Sequence, residues 1–320
     1  MVQHEGRKSY GELAIFTGNA NLDLAQEVCD YLDVPLRGMD IVTFPNENIF
    51  VQLHRSVRSQ DVFVVQPTCR PVNRSIMELL IILDTLKRAS AGRITAVMPF
   101  FSYDRSDKKD LPRVPITARL MADLIGVAGA DRYMTIDMHA GQIQGFFSIP
   151  GDELTAFHIL SDYFLEKSVP KATVVSCDLG FAKKARNFAQ KLKTPMAFVE
   201  KRRTGTCAEA LTVIGDVAGR NIILVDDEAD TAGSIAQAAA ILKQHGAGDI
   251  HAVFTHATFS PPAIQRLLDS PLTEIVTTNT EPIPNRGQLP NLVVLSVAPL
   301  LGEVIRRVHL GISVGKLFNE

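Results

Sequence analysis

Short runs of β-branched and aromatic residues alternate along this chain with longer segments of helical period. Ten runs predict strands: Leu13–Phe16, Val62–Gln66, Ile94–Met98, Tyr133–Asp137, Thr173–Cys177, Ala197–Val199, Ile222–Val225, Ile250–Phe254, Glu274–Thr277 and Leu292–Leu295. Uninterrupted apolar runs such as Ile222–Val225 and Val62–Val65 fit strands covered on both faces, as in parallel sheets. Six segments predict helices: Leu22–Leu32, Ser75–Ala89, Ile116–Ile125, Ala182–Leu192, Ala232–His245 and Pro299–Val308. In the first of these, Leu22, Ala25, Val28, Cys29 and Leu32 fall on one face, and Asn19 and Asn21 are available as caps.

Strand–helix alternation of this kind predicts an α/β fold with mainly parallel sheets. Ten strands exceed one compact sheet of ordinary size, so two sheets in two domains are expected. The 320 residues suit that count. A boundary is expected at residues 145–155, where GFFSIPGDE breaks the periodicity. This gives domains 1–150 and 151–300, with a C-terminal helix and tail, 301–320, returning to the first. No short-period repeat is evident, and sequence identity does not relate the two halves.

Composition narrows the picture. With 46% hydrophobic residues and a net charge of −2, the chain is not disordered. Its 33 basic and 35 acidic side chains exclude a surface that grips nucleic acid generally, so any phosphate site must be local. Cys29, Cys69, Cys177 and Cys207 show no paired spacing, which fits a reducing compartment. The first residues carry charges and only a short apolar run, unlike a secretory signal, and no stretch approaches the ~18 apolar residues of a membrane span. A cytoplasmic protein with neither nucleic acid nor membrane as partner is the expectation.

The strongest chemical signal is the segment Ile222–Ser234, IILVDDEADTAGS. A buried strand is expected to end in Asp226 and Asp227, and small residues then open a helix. Ligands of open α/β sheets bind at strand carboxyl ends. Backbone N–H groups from Asp230 through Thr231, Ala232 and Gly233 to Ser234 can cradle a phosphate at a helix N-terminus. The two carboxylates would accept hydrogen bonds from vicinal sugar hydroxyls. A loop whose aspartates only cap the helix is the bland alternative, and two acids directly after four apolar residues count against it. The lysine of a P-loop is missing, as is the dinucleotide fingerprint.

This segment resembles the phosphoribosyl-pyrophosphate (PRPP) motif of phosphoribosyltransferases and ribose-phosphate pyrophosphokinases. Thr17–Asn21, Val62–Asn73, Met77–Phe101, Gly129–Phe147 and Ser296–His309 are similar, in order, to the pyrophosphokinase family. The resemblance implies two tandem phosphoribosyltransferase-type domains, with the active site between them. The implied reaction moves the diphosphoryl group of ATP to the 1-hydroxyl of ribose 5-phosphate, releasing AMP and using Mg²⁺.

By the same resemblance, Asp226, Asp227 and Asp230–Ser234 bind ribose 5-phosphate. Lys201 and Arg203, in Glu200–Arg203 leaving a strand for a polar loop, correspond to a mobile catalytic loop. His139 and Asp178, each after a strand, correspond to the Mg²⁺ ligands, and His139 also faces the nucleotide phosphates. Arg105, Ser106 and Asp110 lie in a charged loop implied to hold the nucleotide. Phe44, Asn46 and Asn48 correspond to a segment offered to adenine by a neighbouring subunit, which implies a homo-oligomer (dimer-based, up to a hexamer) with shared sites. Ser56, Arg58, Ser90, Arg113 and Ser313 correspond to a phosphate/ADP regulatory site.

Some positions depart from the family pattern. Asn48 replaces an acid and Ser106 a glutamine near the purine, which removes hydrogen-bonding capacity against the base. Glu228 replaces an aliphatic residue in the ribose loop, and Gly315 a serine in the regulatory segment. Two other readings share parts of the pattern: a phosphoribosyltransferase that consumes PRPP, and a non-catalytic subunit that regulates an active partner. Similarity along nearly the whole chain counts against the first, and the presence of His139, Asp178, Lys201, Arg203 and both aspartates against the second.

Overall fold

The computed structural model describes residues 10–177, 180–204, 208–283 and 285–315, without the side chains of 201–204 and 208–211. It divides into two compact units: the chain up to Leu154 together with Val297 onward, and Thr155–Ser296.

The first unit is built from β1 (Leu13–Thr17), α1 (Leu22–Leu32), β2 (Met39–Thr43), β3 (Ile49–Leu53), β4 (Asp61–Val65), α2 (Val72–Arg88), β5 (Arg93–Met98), α3 (Thr117–Ala128), β6 (Arg132–Ile136) and β7 (Gly151–Leu154). Five strands form a sheet in the order β1-β4-β5-β6-β7, with every pairing parallel. The continuous apolar run of β4 is buried throughout, as its lack of alternation required. On one face pack Leu79, Ile82, Leu83 and Leu86 of α2 and Ala118, Ala122 and Ile125 of α3. Asn21 caps α1, its Oδ1 accepting the Leu24 N–H at 3.3 Å. Beyond α1 the chain touches the other edge of β1: Leu36 bridges Ile15 in parallel, and Arg37 N–H donates to the Ile15 carbonyl at 2.8 Å.

The second unit holds α4 (Phe157–Lys167), β8 (Ala172–Ser176), α5 (Ala182–Leu192), β9 (Met196–Thr204), β10 (Ala208–Ile214), β11 (Asn221–Glu228), α6 (Gly233–Gln244), β12 (Ile250–His256), α7 (Ala263–Leu268), β13 (Glu274–Thr278) and β14 (Leu292–Leu295). Its sheet runs β10-β9-β8-β11-β12-β13-β14. All neighbours are parallel except the edge pair β9/β10. The last helix, α8 (Ala298–Leu310), packs on α1 of the first unit, where a Cβ on Gly302 would stand 2.3 Å from the Tyr31 ring. Only glycine permits that approach.

The α/β class with mainly parallel, helix-flanked sheets holds in both units. Several local expectations are corrected. Strands β2, β3, β7 and β10 and helices α4 and α7 were not expected. The β2/β3 hairpin is half-buried along alternating positions and short, so its apolar runs are broken. Glu200–Arg203 does not leave a strand for a loop: β9 continues to Thr204, its backbone paired with β10 so that Arg203 opposes Glu209. Asp226 and Asp227 do not follow β11 but lie inside it, because the ladder to β12 extends to Glu228 opposite His256.

A duplication becomes visible in the fold. Ala91–Val97 and Ala247–Val253 share five of seven residues, AGxIxAV, and each enters a central strand, β5 or β12. Gly92 N–H donates to the Gln60 carbonyl before β4, and Gly248 N–H to the Arg220 carbonyl before β11, both at 2.8 Å.

Candidate active site at the strand carboxyl ends

In the second unit the chain winds from β8 outward to β9 on one side and to β11 on the other, so β8/β11 is a topological switch point. Ser176 of β8 opposes Val225 of β11, and Asp226 and Asp227 come next. Asp226 is half-buried and Asp227 buried, and Asp226 Oδ1 accepts the Asp227 N–H at 3.1 Å. The loop Ala229–Ala232 then turns into α6, with Ala232 in left-handed backbone (φ 54°) and no side chain capping the helix. The first N–H groups of α6 therefore point at the same edge as the two carboxylates, an arrangement suited to a phosphate with adjacent hydroxyls. Thr231 is exposed, Asp230, Gly233 and Ser234 are half-buried, and the Thr231 carbonyl accepts from Arg266 Nη1 at 3.0 Å.

In the first unit the ends of β5 and β6 carry the other candidates. The loop after β5 is pinned by Ser102 N–H donating to Thr68 Oγ1 at 2.7 Å and by Tyr103 OH donating to Asn73 Oδ1 at 2.6 Å. Asp104 is buried, and its Oδ2 accepts the His139 N–H at 3.0 Å, so the loop after β5 and the His139 segment are joined directly. Ser106 Oγ accepts the Thr117 N–H at 3.2 Å at the start of α3. Arg105, Asp110 and His139 are exposed at this edge. Buried Asp107 accepts from Gln142, a second tie between the same two loops.

Phe44, Asn46 and Asn48 form the tip between β2 and β3, closed by Phe44 N–H donating to the Asn48 carbonyl at 2.8 Å. Val42, Phe44 and Phe50 are 43%, 45% and 46% exposed, an apolar outer face on a polar hairpin. Ser56, Arg58 and Ser90 gather in one loop cluster: Arg58 N–H donates to Ser56 Oγ at 3.4 Å and bridges Ala91, and Ser59 N–H donates to the Ser90 carbonyl at 2.9 Å. Arg113 is exposed in the loop before α3, and the Ser313 carbonyl accepts from Arg307 at 3.0 Å just past α8. Asp178 lies outside the described residues, as do the side chains of Lys201 and Arg203.

Comparison with known proteins decides the family. Residues 13–129 match the model for the N-terminal domain of ribose phosphate pyrophosphokinase, and 203–319 that of the phosphoribosyl synthetase-associated domain. A ribose-phosphate pyrophosphokinase of Caldanaerobacter subterraneus is 49% identical over 309 residues, 96% of this chain and 98% of that protein. The chain belongs to the ribose-phosphate pyrophosphokinase family. The Clostridium acetobutylicum ribose-phosphate pyrophosphokinase is likewise 49% identical, across 96% of this chain and 98% of its own. The crystal structure of phosphoribosylpyrophosphate synthetase from Mycobacterium smegmatis superposes with a TM-score of 0.89 at 43% identity, covering 94% of this chain and all of that one.

Within this pyrophosphokinase-family chain, sequence reasoning missed residues around the end of β11. Thr258 Oγ1 lies 3.0 Å from Glu228 Oε1 and 2.7 Å from Oε1 of buried Glu281, linking the end of β11 to the segment after β13. An acid three residues past the carboxyl end of β13 was the available signal at Glu281. Among the described residues no group of three or more His, Cys, Asp or Glu side chains is placed to hold a metal ion. No helix among them is long and apolar enough to cross a membrane.

Proposed function

We propose that this chain transfers the β,γ-diphosphoryl group of ATP to the 1-hydroxyl of ribose 5-phosphate, giving PRPP and AMP. The observation that carries the reading is the β8/β11 switch point, where two strand-end carboxylates meet an uncapped helix N-terminus. Membership of the pyrophosphokinase family supports it.

Asp226 and Asp227 accept hydrogen bonds from the ribose 2- and 3-hydroxyls, and the N–H groups of Asp230–Ser234 take the 5-phosphate. Both contacts fix the sugar and leave the 1-hydroxyl to attack the β-phosphorus in line. Arg105, Ser106 and Asp110 hold the nucleotide on a loop that the Asp104–His139 bond keeps in place. Lys201 and Arg203 stabilise charge passing to the leaving AMP, as cationic side chains do in phosphoryl transfer. His139 is an exposed imidazole and belongs to no group of three or more candidate ligands among the described residues; it would help hold a Mg²⁺ bound mainly through phosphate and water, and Asp178 would serve a second. Such an ion supplies charge neutralisation on the phosphate oxygens.

The exposed apolar face of the β2/β3 hairpin supports a homo-oligomer in which Phe44, Asn46 and Asn48 serve a neighbouring copy's nucleotide site. The Ser56/Arg58/Ser90 cluster supports a phosphate or ADP regulatory site. The experiment that tests the catalytic reading is Lys201→Ala, which should lower kcat by ~10³-fold while leaving ATP affinity nearly unchanged. Turnover close to that of the unaltered chain would overturn it.

A further inference from the structure

The first unit has a switch point of its own. Leu36 touches β1 on one side and β4 pairs with it on the other, so β1/β4 repeats the topology of β8/β11. Thr17 opposes Val65, which places Gly18 and Gln66 where Cys177 and Asp226 stand in the second unit. At this edge Glu78 of α2 is 2% exposed, and Gln66 is fully buried.

The Glu78 carboxylate is surrounded by amide donors. Its Oε1 accepts the Asn19 backbone N–H at 2.5 Å and Gln66 Nε2 at 3.0 Å, and its Oε2 accepts Asn19 Nδ2 at 2.9 Å. Gln66 Oε1 in turn accepts the Ala20 N–H at 3.2 Å, and its Nε2 lies 3.5 Å from the Ser75 carbonyl. A Cβ on residue 18 would fall 2.4 Å from Glu78 Oε1 and 2.6 Å from Gln66 Oε1, so Gly18 makes the room. No cation pairs with Glu78 among the described residues, and the three hydrogen bonds above all come from neutral amide donors. A backbone N–H and side-chain amides converging on an oxyanion at strand carboxyl ends are what a ligand anion meets in such folds. Salt-bridge chemistry is not what holds this acid inside.

We propose that the β1/β4 switch point is an oxyanion-binding site whose occupant is the chain's own Glu78 carboxylate, which closes this crevice to outside ligands. The ligand class it accepts is a small carboxylate, because the donors are neutral amides spaced for two oxygens. Of the two switch points, β8/β11 is then the one left to ribose 5-phosphate, which rests on the function proposed above.

The test is chemical rescue in the full-length protein, read by thermal melting and so independent of catalysis. Glu78→Ala removes the equivalent of one acetate. The variant should melt several degrees below the unaltered chain, and acetate titrated against chloride at constant ionic strength should restore at least half of the loss, saturably. Glu78→Gln fills the same space with an amide, so it should melt lower than the unaltered chain but show no acetate response. If Glu78→Ala is recovered unfolded, the yield on refolding should rise with acetate and not with chloride. The proposal is overturned if Glu78→Ala melts with the unaltered chain. Acetate that raises the variant no more than the unaltered chain, or a variant that stays unfolded in acetate, overturns it too.

Discussion

Two crevices of one topology occur in this chain, at β1/β4 and at β8/β11, and they differ in where the negative charge comes from. At β8/β11 the strand end itself supplies carboxylates, Asp226 and Asp227, and the helix that follows has no side-chain cap. On the proposed reading this edge takes a sugar hydroxyl pair and a phosphate. At β1/β4 the strand end supplies a neutral amide, Gln66, and the acid comes from the second turn of the helix, where Glu78 reaches back. The same backbone plan thus yields an open site when the acid lies on the strand and a filled one when it lies on the helix. Fold alone does not assign the ligand, and the identity of two or three side chains does.

Substitutions at the open crevice should have the largest effects. Asp226→Asn or Asp227→Asn should lower kcat/KM for ribose 5-phosphate by about 10²-fold, since a charged acceptor facing a hydroxyl is lost. The melting temperature should stay within a few degrees of the unaltered chain. Steady-state kinetics beside a melting curve checks both halves, and unchanged kinetics would remove these acids from the sugar site.

At the filled crevice, Gln66→Asp imitates the open one and should fail. It places a second carboxylate beside buried Glu78 and removes a donor to it, at a cost of about 3 kcal/mol. For units of this size that is a fall of roughly 6–12 °C in melting temperature. Adding Glu78→Ala should recover part of the loss, a coupling that a double-mutant cycle reads directly.

The amino ends of the two sheets offer a milder contrast. Buried Asp61 of β4 takes Arg93 Nε at 2.8 Å and Nη2 at 2.6 Å, and His309 of α8 at 2.8 Å. Glu274 of β13 instead gathers Tyr163 OH and Lys167 Nζ at 2.8 Å and His251 Nδ1 at 3.1 Å. Burial pushes the Glu274 carboxyl upward, but these donors outweigh it and hold it below the ordinary glutamate range. A depressed carboxyl adds stability above its unfolded value, and that stability is lost as the pH falls through the folded one. Glu274→Gln should therefore cost about 2 kcal/mol at neutral pH, and the gap to the unaltered chain should narrow on acidification below about pH 4.3. Urea titrations at several pH values would show it, and a gap that widens in acid would contradict the assignment.

The smallest expected difference concerns the paired glycines. A Cβ on residue 92 would meet the Ser59 carbonyl oxygen at 2.6 Å, a backbone atom, whereas on residue 248 it would meet the Asn221 side chain at 2.5 Å. Gly92→Ala should cost about 2 kcal/mol and Gly248→Ala about 1 kcal/mol, because a side chain yields more readily than a backbone carbonyl. Parallel melting curves decide the order.

Much of this architecture was legible in the sequence because buried parallel strands are written as uninterrupted apolar runs. Ile222–Val225 and Val62–Val65 marked an interior strand of each sheet, β11 and β4. What escaped was half-buried or antiparallel: β2 and β3 are five-residue strands exposed at several positions, and β10 follows a basic run that looks like solvated loop. The candidate ribose loop was legible because two acids after four apolar residues serve no packing purpose. Glu78 was legible too but overlooked. It sits on the buried stripe of α2 with Ser75, Leu79, Ile82, Leu83 and Leu86, and an acid there requires a built partner set. The internal repeat was masked by its brevity, and the matching Gly92 and Gly248 hydrogen bonds gave it meaning.

The most direct test of the central claim uses the purified chain with ribose 5-phosphate, ATP and Mg²⁺, following both products by chromatography. PRPP and AMP should appear in equal amounts, and the Asp226→Asn/Asp227→Asn double variant should form neither at a comparable rate while remaining folded. ATP consumption that yields ADP instead of AMP, or no turnover by the intact chain, would contradict the account.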